Sequence, residues 1–145
     1  MKTSTADRLP ELWQQFSPSD QVLVIISADP DAIASALAVS RLLAQRTAGV
    51  TIANVNQIDR PDNLAMVRLL KVPLSPYASI DLSRFTRTVM VDSQPDHAQP
   101  LAGLKPDVVI DHHPDSGYRG PYTDIRPTYG ATATILTEYL RAARI

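Results

Sequence analysis

Six residues of this 145-residue chain have the types and spacing for metal-assisted chemistry: Asp29, Asp31, Asp92, Asp111, His112 and His113. Each stands where an apolar run stops. Val22-Leu23-Val24-Ile25-Ile26 leads to Asp29-Pro30-Asp31, Thr88-Val89-Met90-Val91 to Asp92, and Val108-Val109-Ile110 to Asp111-His112-His113. In an open parallel sheet the carboxyl ends of neighbouring strands border one crevice, where ligands bind. The acids and imidazoles are therefore expected to converge. Carboxylates crowded without a cation repel and raise a pKa, so divalent ions relieve the cost of bringing them together. Asp29 and Asp31, two apart at a strand-to-helix turn, can diverge towards two ions, with Asp92 as the bridge. One of His112 and His113 then ligates metal and the other meets phosphate, while Asp111 fixes ring orientation from behind. Oxygen and imidazole donors in a chain without cysteine suit Mn²⁺ first and Mg²⁺ second. Two such ions about 3.5–4 Å apart activate a bridging water and clamp both oxygens of a phosphoryl displacement.

Placing those residues requires strands and helices in alternation. Leu9, Leu12, Trp13 and Phe16 recur at helical spacing over residues 6 to 16, a packing stripe. Ser17-Pro18-Ser19-Asp20 breaks it and launches a strand at Gln21 to Ile26, apolar enough to be buried on both faces. Asp29 as N-cap and Pro30 as first helical residue start a helix to about Arg46. Its small residues Ala32, Ala34, Ser35, Ala36 and Ala38 let it lie close to the sheet. Gly49 ends that segment. Val50 to Val55, Thr86 to Val91 and Asp107 to Ile110 read as further strands, and Ile80 as a short one. A short helix is expected between Pro61 and Leu70, a loop with brief extended structure at most over 114 to 128, and a closing helix from about Tyr129. The pattern predicts an α/β fold, three-layered and doubly wound, with a mainly parallel sheet of about five strands and flanking helices.

Composition narrows the function classes. A net charge of −1 argues against a broad footprint for duplex nucleic acid, leaving small phosphorylated substrates or short single-stranded oligonucleotides. No apolar stretch reaches the roughly 18 residues of a membrane span. Met1 to Asp7 lacks the apolar core of a signal peptide, which together with the missing cysteines leans towards a cytoplasmic protein. The 44% hydrophobic content suits one domain over 1–145.

In this order, the motifs resemble the DHH phosphoesterases. Asp29-Pro30-Asp31-Ala32-Ile33-Ala34-Ser35 looks like the first motif, Asp92 the second and Asp111-His112-His113 the third. Asp124-Ile125-Arg126-Pro127 and Gly130-Ala131-Thr132-Ala133-Thr134 are similar to the segment that comes next in the nanoRNase and exopolyphosphatase-like branch. The resemblance implies hydrolysis of phosphoesters or phosphoanhydrides by a manganese pair. It assigns Asp29 to the first metal, Asp31 and His112 to the second, Asp92 to both, His113 to the phosphate and Asp111 to supporting the site. It also implies that the catalytic work falls on Asp92, His112 and His113. Two departures stand out. Ile25 occupies the place of a family histidine ligand, and the family's later aspartate and small C-terminal substrate-binding domain are expected to be missing from this chain. A homodimer is compatible with the reading. The alternative is a degenerate, non-catalytic module that binds phosphate or nucleotide and regulates.

Other residues fit plainer roles. His97 reads as a solvated loop residue, Arg126 as a surface partner of Asp124 or Asp115, Thr132 equally as a helix cap or as part of an anion-favouring helix N-terminus, and Arg84 and Arg87 as solvated. Asp29-Pro30-Asp31 also resembles a haloacid-dehalogenase nucleophile motif, but that family's later Lys and acidic pair are not evident. A receiver domain would want a strand-end Lys after the last strand, and none is visible.

Overall fold

Strand β1 (Gln21–Ile26) is buried at five of its six positions, as an apolar run with neighbours on both sides and both faces must be. The computed structural model describes residues 3–97 and 101–145, so Met1 and Lys2 of the N-terminal reading lie outside the described residues, as does Ala98 beside His97. Around β1 lie β2 (Gly49–Asn54), β3 (Leu74–Pro76), β4 (Arg87–Val91), β5 (Val108–Asp111) and β6 (Tyr122–Ile125). All pairings are parallel, in the order β3-β2-β1-β4-β5-β6. The order reverses between β1 and β4, and the crevice beyond their carboxyl ends is the place where such sheets bind ligands.

Helices α1 (Thr5–Trp13), α2 (Pro30–Leu43), α3 (Pro61–Leu69) and α4 (Thr132–Ala142) complete the α/β fold. Leu9 and Leu12 of α1, Ile33 and Leu43 of α2, and Ile135 and Tyr139 of α4 share one cluster with Val22, Val24 and Ile26, and Met66 and Val67 of α3 pack against it. Alternation sends Leu23 and Ile25 of β1 to the opposite face, where they meet Ala53, Met90, Val109 and Leu101. That face is covered by connecting segments, through Tyr77, Ile80, Phe85, Leu104 and Tyr118. The third layer is therefore irregular, and among the described residues the helices lie on the other side.

Among the described residues six strands form where the sequence pattern yields about five. Ile80 is no strand: it lies between 3-10 turns at Tyr77–Ser79 and Leu82–Arg84. The short edge strand falls instead at Leu74–Pro76, where a proline lacking an N–H is tolerated because only one side is paired. The extended stretch after residue 114 is β6, paired with β5 over four residues.

β6 is held by a buried charge network rather than by an apolar run. Asp124, fully buried, accepts from Arg8 at 2.7 Å, from Arg126 Nε and Nη2 at 2.9 and 2.7 Å, and from the Tyr139 hydroxyl. Arg126 reaches on to Glu138 at 2.7 Å. The network stitches α1, β6 and α4 together, and burial with these partners accounts for Arg126. Removing one member of a buried ion cluster strands its partners, so Asp124→Ala should lower stability by about 3–5 kcal/mol. Asp115→Ala, which breaks the solvent-exposed pair with Arg119, should leave stability nearly unchanged. Denaturant unfolding of both variants checks the contrast.

Candidate metal centre

Each acid reaches the crevice by a different local device. Asp29 is the N-cap of α2, its Oδ1 accepting the Ala32 N–H at 2.8 Å. The loop before it is clamped by Asn56, whose amide accepts from the Ala28 N–H at 2.6 Å and donates to the Ala28 carbonyl at 3.0 Å. Asp31, in the first turn of α2, spans to the start of α4. Its two oxygens accept the Thr132 and Ala133 N–H groups at 3.0 and 2.7 Å. Ala131, the N-cap of α4, has no capping side chain, so Asp31 caps that helix from across the fold.

Asp92 comes directly after β4 with φ at 58°, in the left-handed region where Asp and Asn are the tolerated residues after Gly. Its amide still donates to the Ile110 carbonyl at 3.1 Å. Asp111 closes β5 fully buried. Its Oδ1 accepts the His112 N–H at 2.8 Å and His113 Nδ1 at 2.7 Å, and its Oδ2 accepts Gln94 Nε2 at 2.7 Å. His112 Nδ1 lies 3.1 Å from the Tyr129 carbonyl. A carbonyl only accepts, so Nδ1 carries the hydrogen and the Nε2 lone pair is free. That Nε2 lies 3.5 Å from Asp31 Oδ2 and 3.4 Å from Asp92 Oδ1.

Asp31, Asp92 and His112 thus aim ligand atoms at one region, and Asp92, Asp111, His112 and His113 form a compact group whose ligand atoms lie within 4.8 Å of one another. Asp29 stands at the margin, close enough for its charge to act on Asp92. Burial, the charges of Asp31 and Asp29, and a hydrogen bond with Asp31 push the Asp92 carboxyl up to about 8. The donors are oxygen and imidazole, and among the described residues no Lys or Arg pairs with these acids. This set fits a hard divalent ion.

Position 25 contributes no ligand. Ile25 is 1% exposed and packs in the second apolar cluster, beside Ala53 and Met90 on the neighbouring strands. His97 is exposed, as expected of a loop residue, yet its ring stands edge-on to His113 at 5.7 Å. Arg126 pairs with Asp124 and not with Asp115, whose partner is Arg119. Thr132 is not the cap of α4 but its first residue. Asn56 and Gln94 are positioning residues that no motif announces, since lone amides in loops carry no spacing signal.

The raised Asp92 carboxyl has a consequence for stability. Between the ordinary value of 3.8 and about 8, the folded metal-free protein holds a proton that the unfolded chain releases. Stability from this group therefore falls as pH rises through that window. In EDTA, the unfolding midpoint of the wild type relative to Asp92→Asn should drop progressively from pH 5 to pH 8.5. Parallel midpoint curves for the two proteins would contradict this. Asparagine suits the left-handed backbone, so the comparison isolates the charge.

The model of the DHH family, N-terminal domain, matches residues 21–144. The chain is also 37% identical over 119 residues to the uncharacterized protein MJ1633 of Methanocaldococcus jannaschii, covering 82% of this chain and 25% of that protein. It spans about a quarter of the length of that relative. DHH proteins generally use divalent metals, and membership suggests phosphoesterase activity, in keeping with the acid and imidazole group of the crevice. On a match running from β1 to the end of α4, the chain belongs to the DHH family.

Proposed function

We propose that this chain is a phosphoesterase domain that uses a pair of divalent ions, Mn²⁺ or Mg²⁺, to hydrolyse phosphoester or phosphoanhydride bonds. Small phosphorylated molecules and short single-stranded oligonucleotides, as met in nanoRNase- and exopolyphosphatase-like proteins, are the substrates that suit its neutral charge balance. The observation that carries this reading is the free Nε2 of His112 facing both Asp31 and Asp92. Asp29, Asp31, Asp92 and His112 would hold the metal, with Asp92 shared. Bound divalent ions supply Lewis-acid polarisation of a phosphoryl oxygen and a more acidic water.

The chain's own groups prepare the remainder. Asp111 takes the Nδ1–H of His113, leaving Nε2 as the ring atom free to meet a phosphoryl oxygen, to which it donates when the ring carries its second proton. Gln94 holds the other oxygen of Asp111 and also accepts the Ser116 N–H at 2.8 Å, so the loop after β5 and the imidazole are set together. His113 is half exposed, in reach of a ligand entering from solvent, whereas His112 is more deeply set.

A second reading rests on Ile25. With an apolar residue buried where the family places a ligand, the same crevice would bind phosphate or nucleotide without turnover. Calorimetric titration with Mn²⁺, paired with phosphodiesterase and exopolyphosphatase assays, separates the two. The enzyme reading expects two bound ions and turnover, and Asp92→Asn should abolish the tight binding of one ion along with activity. Metal or phosphate binding without turnover would favour the module. Ile25→His should lower metal-free stability by about 1–3 kcal/mol, because a polar ring replaces packed hydrocarbon. Saturating Mn²⁺ should recover that loss and strengthen metal binding. Thermal unfolding in EDTA and in Mn²⁺ reads both effects.

A further inference from the structure

Thr132 has no assigned task, yet it is fully buried at the point where α4 meets the strand ends. Its hydroxyl lies 3.0 Å from Asp92 Oδ1 and 3.4 Å from Asp111 Oδ1, and it accepts the His112 N–H at 3.2 Å. A hydroxyl has a single proton to give. Asp111 Oδ1 already receives the His112 N–H and His113 Nδ1–H at 2.8 and 2.7 Å, and it is the more distant acceptor. The proton therefore goes to Asp92.

We propose that Thr132 is a positioning residue for the shared metal carboxylate, its hydroxyl fixing Asp92 Oδ1 beside His112 so that the two present a preset pair of ligand atoms to a divalent cation. The proposal rests on the metal reading above and deepens it. Asp92 sits on a turn just past β4, without a helix around it to hold its side chain. Thr132 supplies that restraint from a rigid element, because the α4 backbone at this residue is itself pinned by Asp31. One end of α4 thus touches Asp31 through its amides and Asp92 through a hydroxyl, and it receives the His112 amide. Loss of such an outer-sphere partner commonly weakens metal binding by about 10- to 100-fold.

Thr132→Val keeps the shape and removes the hydroxyl. The His112 N–H keeps Asp111 Oδ1 as an acceptor, so no backbone donor is orphaned. Thr132→Ser keeps the hydroxyl and removes only a methyl group. Calorimetric titration of the full chain with Mn²⁺ should show binding weakened about 10- to 100-fold in Thr132→Val and recovered to within about threefold in Thr132→Ser. Unfolding midpoints in EDTA report folding separately, and Thr132→Ala replaces the valine variant if that one does not fold. Wild-type Mn²⁺ binding with an unchanged Thr132→Val would overturn the assignment to Thr132 while leaving the metal centre standing. Equal weakening in serine and valine variants would overturn it too, since shape and not the hydroxyl would then matter. A wild type that binds no Mn²⁺ would overturn the metal reading and this proposal with it.

Discussion

The architecture depends on one long-range contact, the carboxylate of Asp31 seated on the first amides of α4. It joins residues 101 and 102 positions apart, so the first helix after β1 and the last helix of the chain meet at their N-termini. The contact answers two needs. Helix α4 begins at an alanine cap that has no acceptor to offer, and Asp31 is a charge that must be set among other acids. Exposed helix-terminal amides favour an anion, and an anion in a crowded site favours such amides. The two helices pack on one face of the sheet, and the apolar residues beneath them, Ile33, Leu43, Ile135 and Tyr139, belong to one core with the alternate side chains of β1. Core and site are consequently set by the same pair of helices.

Much of this is legible in the sequence because it is written in short-range patterns. The apolar runs of β1 and β5, the Asp-Pro start of α2 and its small residues each carry a local physical signature, and their boundaries fall within a few residues of those observed. The acids at strand ends are legible for the same reason, since a parallel sheet collects its carboxyl ends at one rim. Other features have no such signature. β6 is only four residues long, and its single buried acid is held by Arg126 two residues on and by Arg8 and Tyr139 from elsewhere in the chain. Asn56 and Gln94 act through bonds to backbone or side chains brought near by folding. The role of Thr132 depends on a meeting of α4 with two strand ends that spacing alone does not reveal.

The two faces of the sheet are built unequally, and the difference bears on Ile25. On the helical side, the strand residues pack against regular elements with long apolar faces. On the other side, Leu23, Ile25, Met90 and Val109 are covered by aromatic and aliphatic residues of connecting segments, such as Tyr77, Phe85 and Tyr118. The isoleucine adds to the smaller of the two apolar clusters. Position 25 thus contributes packing to that cluster and no donor atom to the crevice.

The backbone at Asp92 has a further consequence, for the history of such domains. Its left-handed conformation is uncommon for residues other than glycine but suits asparagine as well as aspartate. The codons of these two residues differ by a single base. A lineage can therefore exchange the Asp92 carboxylate for a neutral amide in one mutational step while keeping a residue that suits the turn. On the function proposed above, forms that hold a shared ion and forms that do not would be neighbours in sequence space, separated by one nucleotide.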